Sequence, residues 1–146
     1  GDTLGAVSVG GIDIFHSTYK PLLFESLQIS SYDSSNQTLL ELEEILDKKS
    51  DEVAAIILEP YVQAAGGIKV ASPGYLKKIK ILCDKYNILL IADEVATAFG
   101  RTGEMFACNH DSVTPDILVL GKGLTSGYLP LSATITTQDI FEFPKS

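Results

Sequence analysis

Apolar positions along the 146-residue chain fall into two patterns that alternate with one another. The first is the short continuous run: Val53 to Leu58, Ile88 to Ala92 and Ile117 to Leu120. Each run stops abruptly, at Glu59-Pro60, at Asp93-Glu94 and at Gly121-Lys122 respectively. Runs of this length, rich in Ile, Leu and Val, predict strands buried on both faces of a parallel sheet. Leu131 to Thr137 predicts a fourth strand whose direction the pattern leaves open. The second pattern is helical. Leu39, Leu42, Ile45 and Leu46 share one face behind a Thr38/Glu41 capping box, and Asp47 to Glu52 is expected to break that helix. Leu76, Ile79, Leu82, Cys83 and Tyr86 repeat likewise behind Ser72-Pro73, an N-cap and first-position pair, and Asn87 is a residue suited to the left-handed stop. Gly66-Gly67 marks a turn. Gly1 to Gly10 predicts a short helix, Ile12 to Ser35 an irregular segment in which His16 is structural, and Gln138 to Phe143 the start of a last helix. Strand, helix and strand in succession predict right-handed parallel units, hence an α/β fold.

The connection Glu94 to Asp116 is long enough for the crossover that parallel neighbours require. If the strands on either side of it pair, about 4.8 Å apart, Asp93 and Lys122 emerge at one carboxyl edge, where open α/β sheets bind ligands. An ion pair, or Asp93 capping the next helix, would also account for them. A cofactor that uses one acid and one amine is the third possibility. Pyridoxal phosphate needs a lysine to hold its aldehyde and an acidic partner to keep its pyridine nitrogen protonated.

Composition narrows the function classes. Acidic residues outnumber basic ones by 19 to 11, a net charge of −8, which argues against nucleic acid or an anionic membrane as partner. Cys83 falls in a predicted helix and Cys108 in a predicted polar loop without CxxC spacing, so two reduced thiols in a cytoplasmic protein are expected, with no metal clip. Ile-Ala-Asp-Glu also has the look of a Walker B strand, but Gly121-Lys122 is followed by Gly and lacks the upstream Gly of a phosphate loop. A metal hydrolase assembled from Asp93, Glu94, His110 and Asp111 lacks ligand spacing.

The stretches ILLIADEVATAFGRTG and FACNHDSVTPDILVLGKGLTSGYLPLSATITT, with GDTLGAVSVGGIDIFHSTYKPLLF and LEPYVQAAGGI, resemble the class III pyridoxal-phosphate aminotransferases over nearly the whole chain. The branch serving biotin biosynthesis matches best, and an ω-amino-acid aminotransferase is the alternative. The resemblance implies part of the large domain of a fold type I transferase: three layers around a mostly parallel sheet, spanning residues 1–146, with Leu131 to Thr137 antiparallel to the rest. It implies pyridoxal 5'-phosphate as cofactor, a small-molecule amino donor and keto acceptor, and a homodimer. Lys122 would be the catalytic lysine and a cofactor ligand, its amine made reactive by burial at the strand end. Asp93 would hold the pyridine nitrogen and Val95 would pack on the ring. Glu59 and Arg101, paired, would shape the substrate pocket. Ala96 stands where some relatives carry Gln, so a bond from there to the ring hydroxyl is not expected. The phosphate-binding Gly-Ser turn and a stacking aromatic would precede Gly1. A carboxylate-gripping arginine and a threonine from the partner subunit would follow Ser146. The polypeptide by itself is therefore expected to bind the cofactor poorly.

Overall fold

The computed structural model describes residues 3–12, 16–32 and 37–143, which divide into two compact units, Gly1–Ser30 and Ser31–Ser146. In the first unit helix α1 (Leu4–Val9) ends at Gly10, whose N–H donates to the Ala6 and Val7 carbonyls. Buried Ser8 donates its hydroxyl to the Leu4 carbonyl and accepts the Phe24 N–H, while its own carbonyl accepts the Ser26 hydroxyl. One serine thus pins the extended chain after a 3-10 turn at Ser17–Leu22 to the helix. His16, expected to be structural, packs against the end of α1. Its ring lies so close to Gly10 that a Cβ there would stand 2.7 Å from Cε1.

The second unit carries helix α2 (Gln37–Lys49), strand β1 (Ala55–Leu58), the two-residue strands β2 (Val62–Gln63) and β3 (Lys69–Val70), and helix α3 (Tyr75–Tyr86). Strands β4 (Leu89–Asp93), β5 (Ile117–Leu120) and β6 (Ala133–Thr136) and helix α4 (Gln138–Phe141) follow. The sheet order is β1-β4-β5-β6. β4 runs parallel to β1 and β5, and β6 is antiparallel to β5, which resolves the one direction that the apolar pattern left open. β2 and β3 form a small antiparallel hairpin around Gly66-Gly67.

Burial on both faces of the sheet was expected, and one face meets it. Leu90 and Ala92 of β4 are wholly buried, whereas Leu89, Ile91 and Asp93 on the other face are half-buried and Ile57 of β1 is 39% exposed. The helix packed on β4 is α3, which buries Leu76, Ile79 and Cys83.

Both helix starts differ from the pattern. Thr38 is not a cap: it lies inside α2, is buried, and donates its hydroxyl to the Ser31 carbonyl at 3.1 Å. The remainder of that helix start, residues 33–36, lies outside the described residues. The helix ends at Lys49, within the Asp47 to Glu52 stretch expected to break it, and the Asp47 carboxylate accepts the Tyr86 hydroxyl from α3. α3 begins at Tyr75 rather than Pro73, behind Gly74 in the left-handed conformation. Its free N–H groups are capped by a carboxylate far along the chain: Asp111 accepts from Gly74 at 2.8 Å, Leu76 at 2.9 Å and Lys77 at 3.4 Å. The helix ends at Asn87 with φ 56 and ψ 46, the left-handed stop that its sequence predicts.

Candidate active site at the carboxyl edge of the sheet

Strand register assembles the site. Asp93 is paired with Val119, and the Glu94 N–H donates to the Val119 carbonyl at 2.9 Å, so the chain leaves β4 one residue beyond its last partner on β5. Lys122 follows Val119 by three residues. It starts the 3-10 turn two residues beyond the end of β5, so the acid and the amine leave neighbouring strands at the same carboxyl edge.

Backbone contacts close the gap further. The Val95 N–H donates to Asp93 Oδ1 at 3.0 Å, folding the chain sharply after the strand. Val95 then lies against Gly121, where a Cβ would meet Val95 Cγ1 at 3.3 Å. Two residues on, the bare backbone of Gly123 faces the Phe99 ring, whose Cδ2 stands 2.7 Å from the position of a Cβ. Asp93, Val95 and Lys122 are thus on one edge and on two touching loops. Among the described residues neither Asp93 nor Lys122 makes an ion pair, so the alternative in which they bind each other is not what the structure adopts.

Lys122 corrects one expectation. Strand burial stops at Gly121, and the lysine is exposed at the head of the 3-10 turn Lys122–Thr125. The end of the strand therefore does not supply the burial expected to activate its amine. Its φ of 34 is a conformation that costs a non-glycine residue about 1–2 kcal/mol. The Gly127 N–H donates to its carbonyl and Leu124 N–H to that of Gly121, and these bonds hold the turn.

Glu59 and Arg101 are a second correction. The Glu59 carboxylate accepts the Ala64 N–H at 3.0 Å, and its carbonyl accepts the Tyr32 hydroxyl. Burial first, then the neighbouring Tyr75 and Glu59, raise the Tyr32 hydroxyl far above the ordinary tyrosine range, so it stays a donor. Arg101 is exposed between Gly100 and Gly103, both at positive φ, and among the described residues it forms no ion pair with Glu59. A local bond within the turn after β1 satisfies the carboxylate, so no cation from the next loop is required.

Glu94, which the sequence offers only as a Walker B or metal-hydrolase candidate, has a structural task that spacing does not show. Its side chain is wholly buried, and its two oxygens accept the Thr97 hydroxyl at 2.9 Å and the Ala107 and Cys108 N–H groups at 2.8 Å each. One carboxylate thereby ties both ends of the loop 95–108 beneath the site. The partners lie up to fourteen residues away and show no periodicity, so no local signal marks them. Cys108 is correspondingly buried in the 3-10 turn Ala107–Asp111 rather than in a polar loop. Burial, then the Glu94 charge, pushes its thiol far above the ordinary range. His110 and Asp111 are also engaged elsewhere, and among the described residues no cluster of His, Cys, Asp and Glu could hold a metal. No described helix is long and apolar enough to cross a membrane.

The mostly parallel sheet that carries this edge is also the fold of solved relatives of this chain. Residues 1–146 match the family of class III aminotransferases, and the chain belongs to that family. The adenosylmethionine-8-amino-7-oxononanoate aminotransferase of Staphylococcus aureus is 52% identical over 97% of this chain and 34% of its own length. The crystal structure of the enzyme of the same name from Methanocaldococcus jannaschii superposes with a TM-score of 0.89 at 42% identity, over 97% of this chain and 33% of that one. An ornithine aminotransferase from Toxoplasma gondii, solved with partial occupancy of pyridoxal phosphate at its active site, superposes with a TM-score of 0.84 at 38% identity, over 97% of this chain and 32% of its own. This chain therefore spans about a third of the length of the relatives it matches. The cofactor of the family is pyridoxal phosphate, and the residue types at the carboxyl edge fit it: an acid for the pyridine nitrogen, an amine for the aldehyde on the far side of the ring, and the apolar Val95 on the adjoining loop.

Proposed function

We propose that the protein carrying this chain transfers an amino group to 8-amino-7-oxononanoate, giving 7,8-diaminononanoate for biotin biosynthesis, with S-adenosylmethionine as donor. The observation that carries the chemistry is the common edge formed by Asp93, Val95 and Lys122; the substrate follows the printed names of the relatives. Bound pyridoxal phosphate supplies an electron sink that makes the proton on the amine-bearing carbon removable. Lys122 would hold the cofactor through its aldehyde, and its amine would carry the proton taken from the amine-bearing carbon of the substrate. Asp93, its carboxylate oriented by the Val95 N–H, would hold the pyridine nitrogen in its protonated form. Val95 presents an apolar surface to the ring. Glu59 and Arg101 line the substrate end of the pocket, each from its own loop rather than as a pair.

The working protein is a cytoplasmic homodimer. Two buried free cysteines suit a reducing compartment, and exposed Tyr128, Leu129 and Leu131 just after the lysine suit a partner subunit. The second reading, an ω-amino-acid aminotransferase, is favoured by the likeness to an ornithine aminotransferase, whose backbone this chain follows nearly as well. Reconstituting the complete protein with pyridoxal phosphate is expected to give a visible absorbance band that Lys122→Ala abolishes, and formation of 7,8-diaminononanoate from S-adenosylmethionine. Turnover with ornithine or another ω-amino acid alone would establish the second reading. A band untouched by Lys122→Ala would remove both.

A further inference from the structure

We propose that His110 is a positioning residue that locks the two substrate-side loops to each other, so that Glu59 and Arg101 are presented to the substrate in one fixed relation. The proposal rests on the reading of those two residues as pocket residues given above. The His110 ring stacks on Tyr61, with centroids 4.2 Å apart and planes within 15°. Its Nε2 stands 3.0 Å from the Thr102 carbonyl and 3.1 Å from the Thr102 hydroxyl. A carbonyl can only accept, so Nε2 carries the hydrogen. Tyr61 is two residues after Glu59 and Thr102 is one residue after Arg101, so a single imidazole touches both loops next to the residues they carry.

The histidine is itself held. Glu94 anchors Ala107 and Cys108 at the start of the 3-10 turn, and Asp111 fastens its end to helix α3. Both loops, by contrast, need restraint. Tyr61 has φ 66, a left-handed conformation that a bulky residue keeps only where its surroundings enforce it. The Val62 N–H donating to Pro60 and the Ala71 N–H donating to Tyr61 enforce it from the backbone side, and the imidazole from the side-chain side. Thr102 lies between Gly100 and Gly103 at φ 86 and 96, in a loop with glycine freedom at both ends. The anchored imidazole is the bridge by which a rigid turn limits both.

Three variants of the complete, cofactor-loaded protein separate the two contacts. His110→Phe keeps the stack on Tyr61 and loses the bond to Thr102; His110→Gln keeps a donor and loses the ring; His110→Ala loses both. For His110→Ala, KM for the amino acceptor is expected to rise about tenfold, in the range of coupling through positioning contacts, with kcat within about twofold. His110→Phe and His110→Gln are each expected to restore part of that loss, and cofactor absorbance is expected to be unchanged in all three. An unchanged KM in His110→Ala, or cofactor loss in step with the KM change, would overturn the proposal. Hydrogen exchange gives a readout without turnover. In His110→Ala, amides of 61–64 and 100–104 are expected to exchange faster together while those of Ala107 and Cys108 do not. Faster exchange in only one of the two loops overturns the bridge. If the unsubstituted protein turns over no acceptor, the reading of the pocket fails, and the exchange experiment still decides the bridge.

Discussion

Individual carboxylates in this chain have separate tasks that neighbouring letters do not distinguish. Asp93 and Glu94 are adjacent, yet one faces the site edge and the other is buried under three donors. Glu94→Ala would leave two buried backbone N–H groups without an acceptor. It is expected to destabilise the protein by about 3 kcal/mol, read by urea unfolding. Asp93→Ala is expected to keep the covalent attachment of cofactor at Lys122 in the complete protein, while turnover falls at least about a hundredfold, since the site loses the charge that serves the ring. The Asp93 and Lys122 positions were legible because each follows a short apolar run. The role of Glu94 was not, since its partners are fixed only when residues 95–108 fold back. Two thiols test the burial. With Cys83 pushed up to about 11 by burial and Cys108 higher still, neither is expected to react with an alkylating reagent at pH 8 unless the protein unfolds.

Among the elements, the strands and the bodies of the helices follow the apolar pattern, while the helix starts do not. Ser72-Pro73 has the letters of a cap, but α3 takes its cap from Asp111, thirty-seven positions beyond Gly74. Asp111→Ala is expected to cost about 1–2 kcal/mol of stability, and Ser72→Ala almost nothing, in paired denaturation curves. The β4-β5 pairing is reinforced at its opposite, amino end. Asp116 donates its N–H to the Leu90 carbonyl and accepts the Leu90 N–H, and Lys80 reaches the same carboxylate at 3.2 Å. Burial alone would lower the Lys80 amine, but Asp84 and Asp116 more than offset it, so the group is raised.

For the whole molecule these shifts have one sign. Cys83 ordinarily loses its proton near 9.0 and in the fold only at about 11. Below the lower value both states hold the proton and the contribution is complete; between the two, only the unfolded chain releases it, so stability falls as pH rises. Raised Lys80 acts in the same direction. The thermal midpoint is therefore expected to drop from pH 9 towards pH 11, and Cys83→Ala to flatten part of that drop. The chain by itself determined the four strands of the sheet, the bodies of the two long helices, the α/β class and the two residues at the strand ends, because these depend on periodicity and on where apolar runs stop, and its motifs carried the family. Tertiary structure alone decided the exposure of Lys122, the separation of Glu59 from Arg101, the distant cap of α3, the burial of Glu94 and the place of His110 between two loops. Each of those depends on which remote backbone group arrives beside a side chain, and sequence spacing carries no record of that until the sheet and its loops have closed.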